Sequence, residues 1–280
     1  MFPFHGALTF GMHMTERDSI WDGWTAERLR ERWARDRVVA VASLTSTNDE
    51  ARRLAEHEDA PAGTVVVAGE QTAGRGRGGR KWSSPPGAGV YLSMVFRPEE
   101  LEPSPVSILA GLGVARALDG AFPGLHPAIK WPNDLYAGGL KLGGVLSEAA
   151  WSDGRPRFLV VGVGINVRPL GEGISRDIAR RATSIDEELG STVPLVEVAD
   201  AVVEGLSAHL DAARPRLGPQ DLADLDRYDG MRDRRGTLVP PGDAEPLPGK
   251  CVGIAPDGAL LFRPDRGALQ RVTDGSLIPE

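Results

Sequence analysis

The chain has 280 residues, 41% of them hydrophobic and 25% charged, an ordinary globular composition with room for one large domain and a small one. Its formal net charge of -7 excludes a broadly basic surface for nucleic acid or membrane, so any anion site must be local. A single cysteine, Cys251, excludes an internal disulfide, and the five histidines are scattered without metal-ligand spacing.

No apolar run approaches the roughly 18 to 20 residues of a transmembrane helix. Met1 to Met14 lacks the basic start and long apolar core of a signal peptide, so a cytoplasmic location is expected, with that stretch poorly ordered. Thr25 to Asp36 predicts a charged helix capped by Thr25, with Leu29 and Trp33 on one face. One helix in some 37 residues is too little for a helix-turn-helix module, which needs about three. Val38 to Ala42 reads as a strand. Ser43 to Glu50 then leads into a helix from Asn48 to about His57, where small hydroxyl and amide side chains either cap the helix or offer donors to a ligand. Thr64 to Ala68 is a second strand.

Next comes Gly74-Arg75-Gly76-Arg77-Gly78-Gly79-Arg80-Lys81-Trp82, four glycines and four cations in nine residues of an acidic protein. Glycine lets backbone N–H groups approach a ligand, and arginine offers planar paired donors to phosphate or carboxylate. Gly74, Gly76 and Gly79 fit G-x-G-x-x-G, but Ser83-Ser84-Pro85-Pro86-Gly87 follows where a dinucleotide fold requires a helix. Gly79 is followed by Arg80-Lys81, which breaks the Walker A pattern, and the flanking apolar strands with Trp82 oppose a disordered arginine-glycine segment.

Val90 to Phe96 has β character, and Val106 to Leu118 has helical spacing. Ala128 to Trp131 rises as a strand into Pro132-Asn133-Asp134, so Lys130 and Asp134 flank a rigid corner. Ala137-Gly138-Gly139 joins two strands, the second carrying Lys141 beside Gly143-Gly144. That lysine is either a solvated gatekeeper or a charge-stabilising group in a pocket. Phe158 to Val163 is an apolar strand ending in Gly162-Val163-Gly164-Ile165-Asn166. Val193 to Leu210 predicts an amphipathic helix, with a shorter one near Gln220 to Tyr228. Beyond Gly230, repeated Pro/Gly turn signals separate short β runs such as Lys250 to Ile254 and Leu260 to Arg263, suggesting a small β-barrel.

In their order, Ser46 to Asn48, the G-R-G-R-x-G-R-x-W-x-S-P-x-G block, K-W-P-N-D, Lys141 to Leu146 and Gly162 to Asn166 resemble the biotin protein ligase family over roughly residues 38 to 280. The resemblance implies an α+β fold, a mixed sheet flanked by helices as in class II synthetases, with a small C-terminal SH3-like β-barrel. It implies an arm and helix over 1–37, a biotin- and ATP-binding catalytic domain over 38–230 and the barrel over 231–280. It implies activation of biotin by ATP and Mg²⁺ to biotinyl-5′-AMP, then transfer to a lysine of a biotin carboxyl carrier protein domain.

By matching motif positions, the resemblance puts Ser46, Thr47, Asn48 and Gln71 at the biotin head group. Gly74, Arg75, Gly76 and Arg77 would form a closing loop that is mobile without ligand, and Gly144, Gly162 and Gly164 would be the backbone against biotin. Arg77, Arg80, Lys130, Asn133 and Asp134 would act on phosphates, with Mg²⁺ at Asp134. Trp82 and Asn166 would lie on the nucleotide side, and Lys141 would be the charge-stabilising catalytic lysine, assisted by Arg77 and Lys130. Bifunctional members carry an N-terminal winged helix; here no operator binding, no membrane association and a monomer or weak homodimer are expected. A lipoate or octanoate ligase of the same fold would lack the complete arginine-glycine block, and a biotin-dependent regulator without ligase activity would need a DNA-binding module or the loss of Lys141.

Overall fold

The computed structural model describes residues 20–171, 180–211, 216–242 and 244–280. The poor order expected of Met1 to Met14 concerns residues outside that range. One antiparallel ribbon of two short strands, β1 (Ile20–Trp21) and β2 (Trp24–Thr25), leads into α1 (Ala26–Arg32). Thr25 caps α1 as expected, its Oγ1 accepting from Arg28 N at 3.3 Å. Trp21, Leu29 and Trp33 are buried in the same core as the main sheet.

Seven strands form that sheet in the order β3-β4-β5-β9-β8-β7-β6. β3 (Val38–Leu44) and β4 (Val65–Gln71) are parallel, joined by the crossover helix α2 (Thr47–His57), and every other pair is antiparallel. The remaining strands are β5 (Gly89–Phe96), β6 (Ala128–Lys130), β7 (Asp134–Ala137), β8 (Leu140–Ser152) and β9 (Arg155–Asn166). The apolar helices α3 (Pro103–Ala121) and α5 (Leu195–Leu210) pack together on one face. A short α4 (Ile185–Leu189), unmarked by any long apolar period, precedes α5.

Strand alternation sorts the sheet's two faces. Val65, Val67, Leu92, Met94, Val161 and Val163 belong to the α3–α5 core, whereas Val66, Val95, Phe158 and Val160 pack with Ala51, Leu54 and Ala55 of α2. Toward the start of α2, the second face changes character. The side chains next in register there are Ser93, Gly162, Gly164 and Gly144, which leave a hollow where large residues would otherwise continue the core.

After α6 (Pro219–Tyr228), five antiparallel strands form a second sheet in the order β13-β12-β11-β10-β14: β10 (Arg235–Val239), β11 (Leu247–Ile254), β12 (Leu260–Pro264), β13 (Gln270–Val272) and β14 (Ser276–Pro279). The turn signals thus mark real strands, arranged as a sheet with β13 and β14 at its edges. This sheet is bonded to the first one: Trp131 Nε1 donates to Gly258 O and Lys130 Nζ to Leu277 O, both at 3.0 Å.

Candidate active site

The hollow is an inner cavity of about 150 Å³, opening beside an outer cleft of about 950 Å³ between the two sheets. Arg77, Arg80, Asn133 and Asp134 line both.

The floor of the inner cavity is a polar network at the start of α2. Ser46 caps the helix, accepting from Asp49 N at 3.4 Å. Gln71 Oε1 accepts from Thr47 N at 2.9 Å and lies 3.1 Å from Thr47 Oγ1, while Gln71 Nε2 donates to Ser84 Oγ at 2.9 Å. Ser93 Oγ lies 2.8 Å from Thr47 Oγ1 and 2.6 Å from Asn48 Oδ1, so one hydroxyl proton is divided between two acceptors. Asn48 Nδ2 donates to Glu148 at 2.8 Å. Ser46, Thr47, Asn48, Ser84 and Ser93 are all buried. Capping and ligand display are therefore not alternatives here: Ser46 caps, and the next two side chains face the hollow.

Two glycines are required by close approach. A Cβ on Gly162 would sit 2.1 Å from Asn48 Oδ1, and one on Gly164 would sit 2.6 Å from Trp82 Nε1. The Trp82 indole thus lies directly on the strand at Gly164. Its Nε1 is buried without a hydrogen-bond partner, an unsatisfied donor inside a polar pocket.

The glycine-arginine segment forms a lid. Trp82 N donates to Gly74 O at 2.9 Å and Gly76 N to Arg80 O at 2.7 Å, with a 3₁₀ turn at Arg77–Gly79 between them. Gly78 and Gly79 have φ of 67° and 73°, the left-handed region that favours glycine. Arg75 pairs with Asp49 of α2 and lies 3.6 Å from Glu148 of β8, bracing the rim. Arg77 reaches the other sheet, donating to the Asp274 carboxylate and, at 2.6 Å, to Gly275 O, and Arg80 donates to Ser276 Oγ at 3.3 Å.

On the far wall, the K-W-P-N-D corner and Lys141 meet. Asp134 accepts from Lys141 Nζ at 2.5 Å and from Lys130 Nζ at 2.8 Å. Burial alone would raise the Asp134 carboxyl, but Lys141 and Lys130 outweigh it and hold the group below its ordinary value, so it is an anion between two cations. Lys141 Nζ is also 5.3 Å from the Trp82 ring centroid, a cation-π distance. Asn133 is fixed by Nδ2 donating to Val145 O at 2.7 Å.

Fifteen of the predicted site residues line the inner cavity; Gly74, Lys130 and Asn166 do not. Gly74 lies behind the lid, with no room for a side chain beside Trp82 O. Lys130 lines the outer cleft. Asn166 is buried, donating to Thr183 O at 3.0 Å. The sequence does not mark as site residues Ser93, which breaks an apolar run at a single position, or Glu148, Arg180, Arg181 and Asp274 to Ser276, which elements distant in the chain bring to the two cavities.

Among the described residues no helix is long and apolar enough to cross a membrane, and no group of three or more His, Cys, Asp or Glu could hold a metal ion.

A mixed sheet with three arginines of a glycine-rich segment over a polar hollow, and a lysine-flanked carboxylate beside it, is the geometry of the candidate site. The model of the Biotin/lipoate A/B protein ligase family matches residues 40–166, and the chain belongs to that family. It is 35% identical to the biotin--[acetyl-CoA-carboxylase] ligase of Mycobacterium tuberculosis over 87% of this chain and 90% of that one. It is 38% identical to the bifunctional ligase/repressor BirA of Bacillus subtilis over 54% of this chain, and the match spans about half (46%) of that relative's length. The structure of biotin protein ligase from Aquifex aeolicus in complex with biotin and ATP superimposes with a TM-score of 0.70 at 29% identity, covering 86% of this chain and 97% of that one.

Proposed function

We propose that the chain is an ATP-dependent biotin ligase, which activates biotin as biotinyl-5′-AMP and passes it to a lysine of a biotin carboxyl carrier protein domain. One observation carries the reading: Lys141 lines the polar inner cavity, facing Trp82, and is paired with Asp134, which borders both that cavity and the arginine-lined cleft. The floor of Thr47, Asn48, Gln71 and Ser93 offers both donors and acceptors, as a ureido ring requires. The same floor disfavours a lipoyl dithiolane or octanoyl chain, which would leave these buried groups unpaired.

Biotin in the inner cavity and ATP in the outer cleft meet at the shared residues Arg77, Arg80, Asn133 and Asp134. The biotin carboxylate attacks the α-phosphorus, pyrophosphate leaves, and Arg180 and Arg181 line its way out. Lys141 holds the developing negative charge, exchanging Asp134 for the reacting oxygens. The carrier amine then attacks the acyl carbon and AMP leaves. Mg²⁺ would supply charge neutralisation on the ATP phosphates. Asp134, the single carboxylate lining the inner cavity, fits a cation that takes one or two carboxylates and otherwise substrate oxygens and water.

In this reading residues 38–230 are the catalytic unit and 231–280 a unit that closes it. On the same reading the protein works in the cytoplasm as a monomer or weak homodimer, without operator binding. Incubation with biotin, ATP, Mg²⁺ and an apo carrier domain should transfer biotin to the carrier. Lipoate accepted in its place, with no transfer of biotin, would overturn the assignment.

A further inference from the structure

The chain has only four lysines against 28 arginines. An acyl-adenylate reacts with free amines, whereas a guanidinium stays protonated and is no nucleophile, so these four side chains are the ones to compare. Lys130 is buried and bonded to Asp134 and Leu277 O. Lys141 is bonded to Asp134 at 2.5 Å. Lys250 lies on the C-terminal sheet, 2.7 Å from Asp233, and lines neither the inner cavity nor the outer cleft. Lys81 is the exception. It is exposed, it lines the inner cavity, and among the described residues its amine has no ion-pair or hydrogen-bond partner. It sits in the lid itself, bridged in antiparallel register to Arg75 and directly preceding the Trp82 that lies on Gly164.

We infer that Lys81 is a built-in acceptor: in the absence of carrier, the chain acylates its own lid at this residue. The inference rests on the ligase reading above. The Lys81 Nζ lone pair attacks the acyl carbon of biotinyl-5′-AMP, the bond from that carbon to the phosphate oxygen breaks, AMP leaves with the electron pair, and the ammonium proton passes to solvent. The product is an amide, so the lid would carry a covalent biotinyl group at the mouth of the cavity that made it. A cavity lined by three arginines of the lid thus contains one free lysine, and the location, more than its exposure, singles it out.

The test is incubation of the whole protein with biotin, ATP and Mg²⁺ without carrier, followed by intact mass and peptide mapping. One hydroxylamine-stable biotinyl group per chain at Lys81 is expected, formed at a rate independent of protein concentration, and lost in Lys81→Arg. Mixing active protein with a tagged Lys141→Ala chain should leave the tagged chain unlabelled. Label on Lys250 or the α-amino group in place of Lys81, or equal label on the tagged chain, would overturn the inference in favour of released adenylate. Biotin-dependent exchange of pyrophosphate into ATP separates the two levels: exchange without label removes the acceptor and keeps the ligase, and no exchange removes both.

Discussion

Arg77 of the lid and Asp274, in the turn between β13 and β14, are hydrogen-bonded partners 197 positions apart in the chain. A cation that borders both cavities is thus held by a carboxylate from the opposite sheet, and a bound phosphate must compete for it. The pair is more than a third exposed on both sides, so its strength is that of a surface pair, up to about 1 kcal/mol. Asp274→Ala should therefore tighten binding of an ATP analogue by up to roughly fivefold, read by titration calorimetry, with little change in thermal stability.

The two lid arginines should differ. Arg75 braces the rim through Asp49 and Glu148, whereas Arg77 enters both cavities. Both Arg75→Gly and Arg77→Gly should release the acyl-adenylate faster than the parent, with the larger effect at Arg77. The half-life of adenylate on the enzyme, followed by filter retention, checks this; equal retention in all three proteins would remove the lid role.

Removing Lys141 takes away the one ammonium that faces the inner cavity from the strand wall. Lys141→Ala should lower adenylate formation by about 10²- to 10³-fold, the usual cost of losing a single charge-stabilising donor. Its thermal midpoint should stay near the parent's, since Lys141 is a third exposed.

Asp134 gives a pH prediction with a defined sign. Its folded-state pKa is held below the ordinary value by Lys141 and Lys130, so its contribution to stability is complete above the unfolded-state pKa of about 3.9 and is lost as pH falls through the lower folded value. Urea unfolding between neutral pH and pH 3 should show this acid limb, and Asp134→Asn should lack it. The same change should cost roughly 3 kcal/mol at neutral pH, because it leaves Lys130 buried without its counter-charge.

The two floor glycines should separate stability from binding. Gly162→Ala drives a methyl into the buried Asn48 amide and should cost about 1 to 3 kcal/mol. Gly164→Ala displaces the Trp82 indole of the lid, so nucleotide affinity should fall with a smaller effect on unfolding.

Local pattern made much of this fold readable. Val65-Val66-Val67 alternates between two cores, as a half-buried strand with both faces covered must, and Thr25 and Ser46 cap the helices they precede. The lid was visible because glycine and arginine at that density have few other uses. What stayed hidden depends on register or on distance. Ser93, Gly162 and Gly164 form one floor only because β5 and β9 pair Ser93 with Gly162 and Tyr91 with Gly164. Asn166 ends a strand in a motif that suggests a ligand, yet its amide serves Thr183. Nothing near Arg77 announces Asp274.

Lys130 and Trp131 belong to the corner that presents Asn133 and Asp134, yet their buried donors end on Leu277 O and Gly258 O. During synthesis the ribosome will have made more than a hundred further residues before either acceptor exists. Until then the Trp131 indole has only water to bond and Lys130 only water and the Asp134 of its own corner, so the wall that carries Asn133 and Asp134 lacks two of its fixing bonds. The candidate site is thus completed late in translation: a nascent chain with its first sheet already formed would still lack the two bonds that tie its corner to the second sheet.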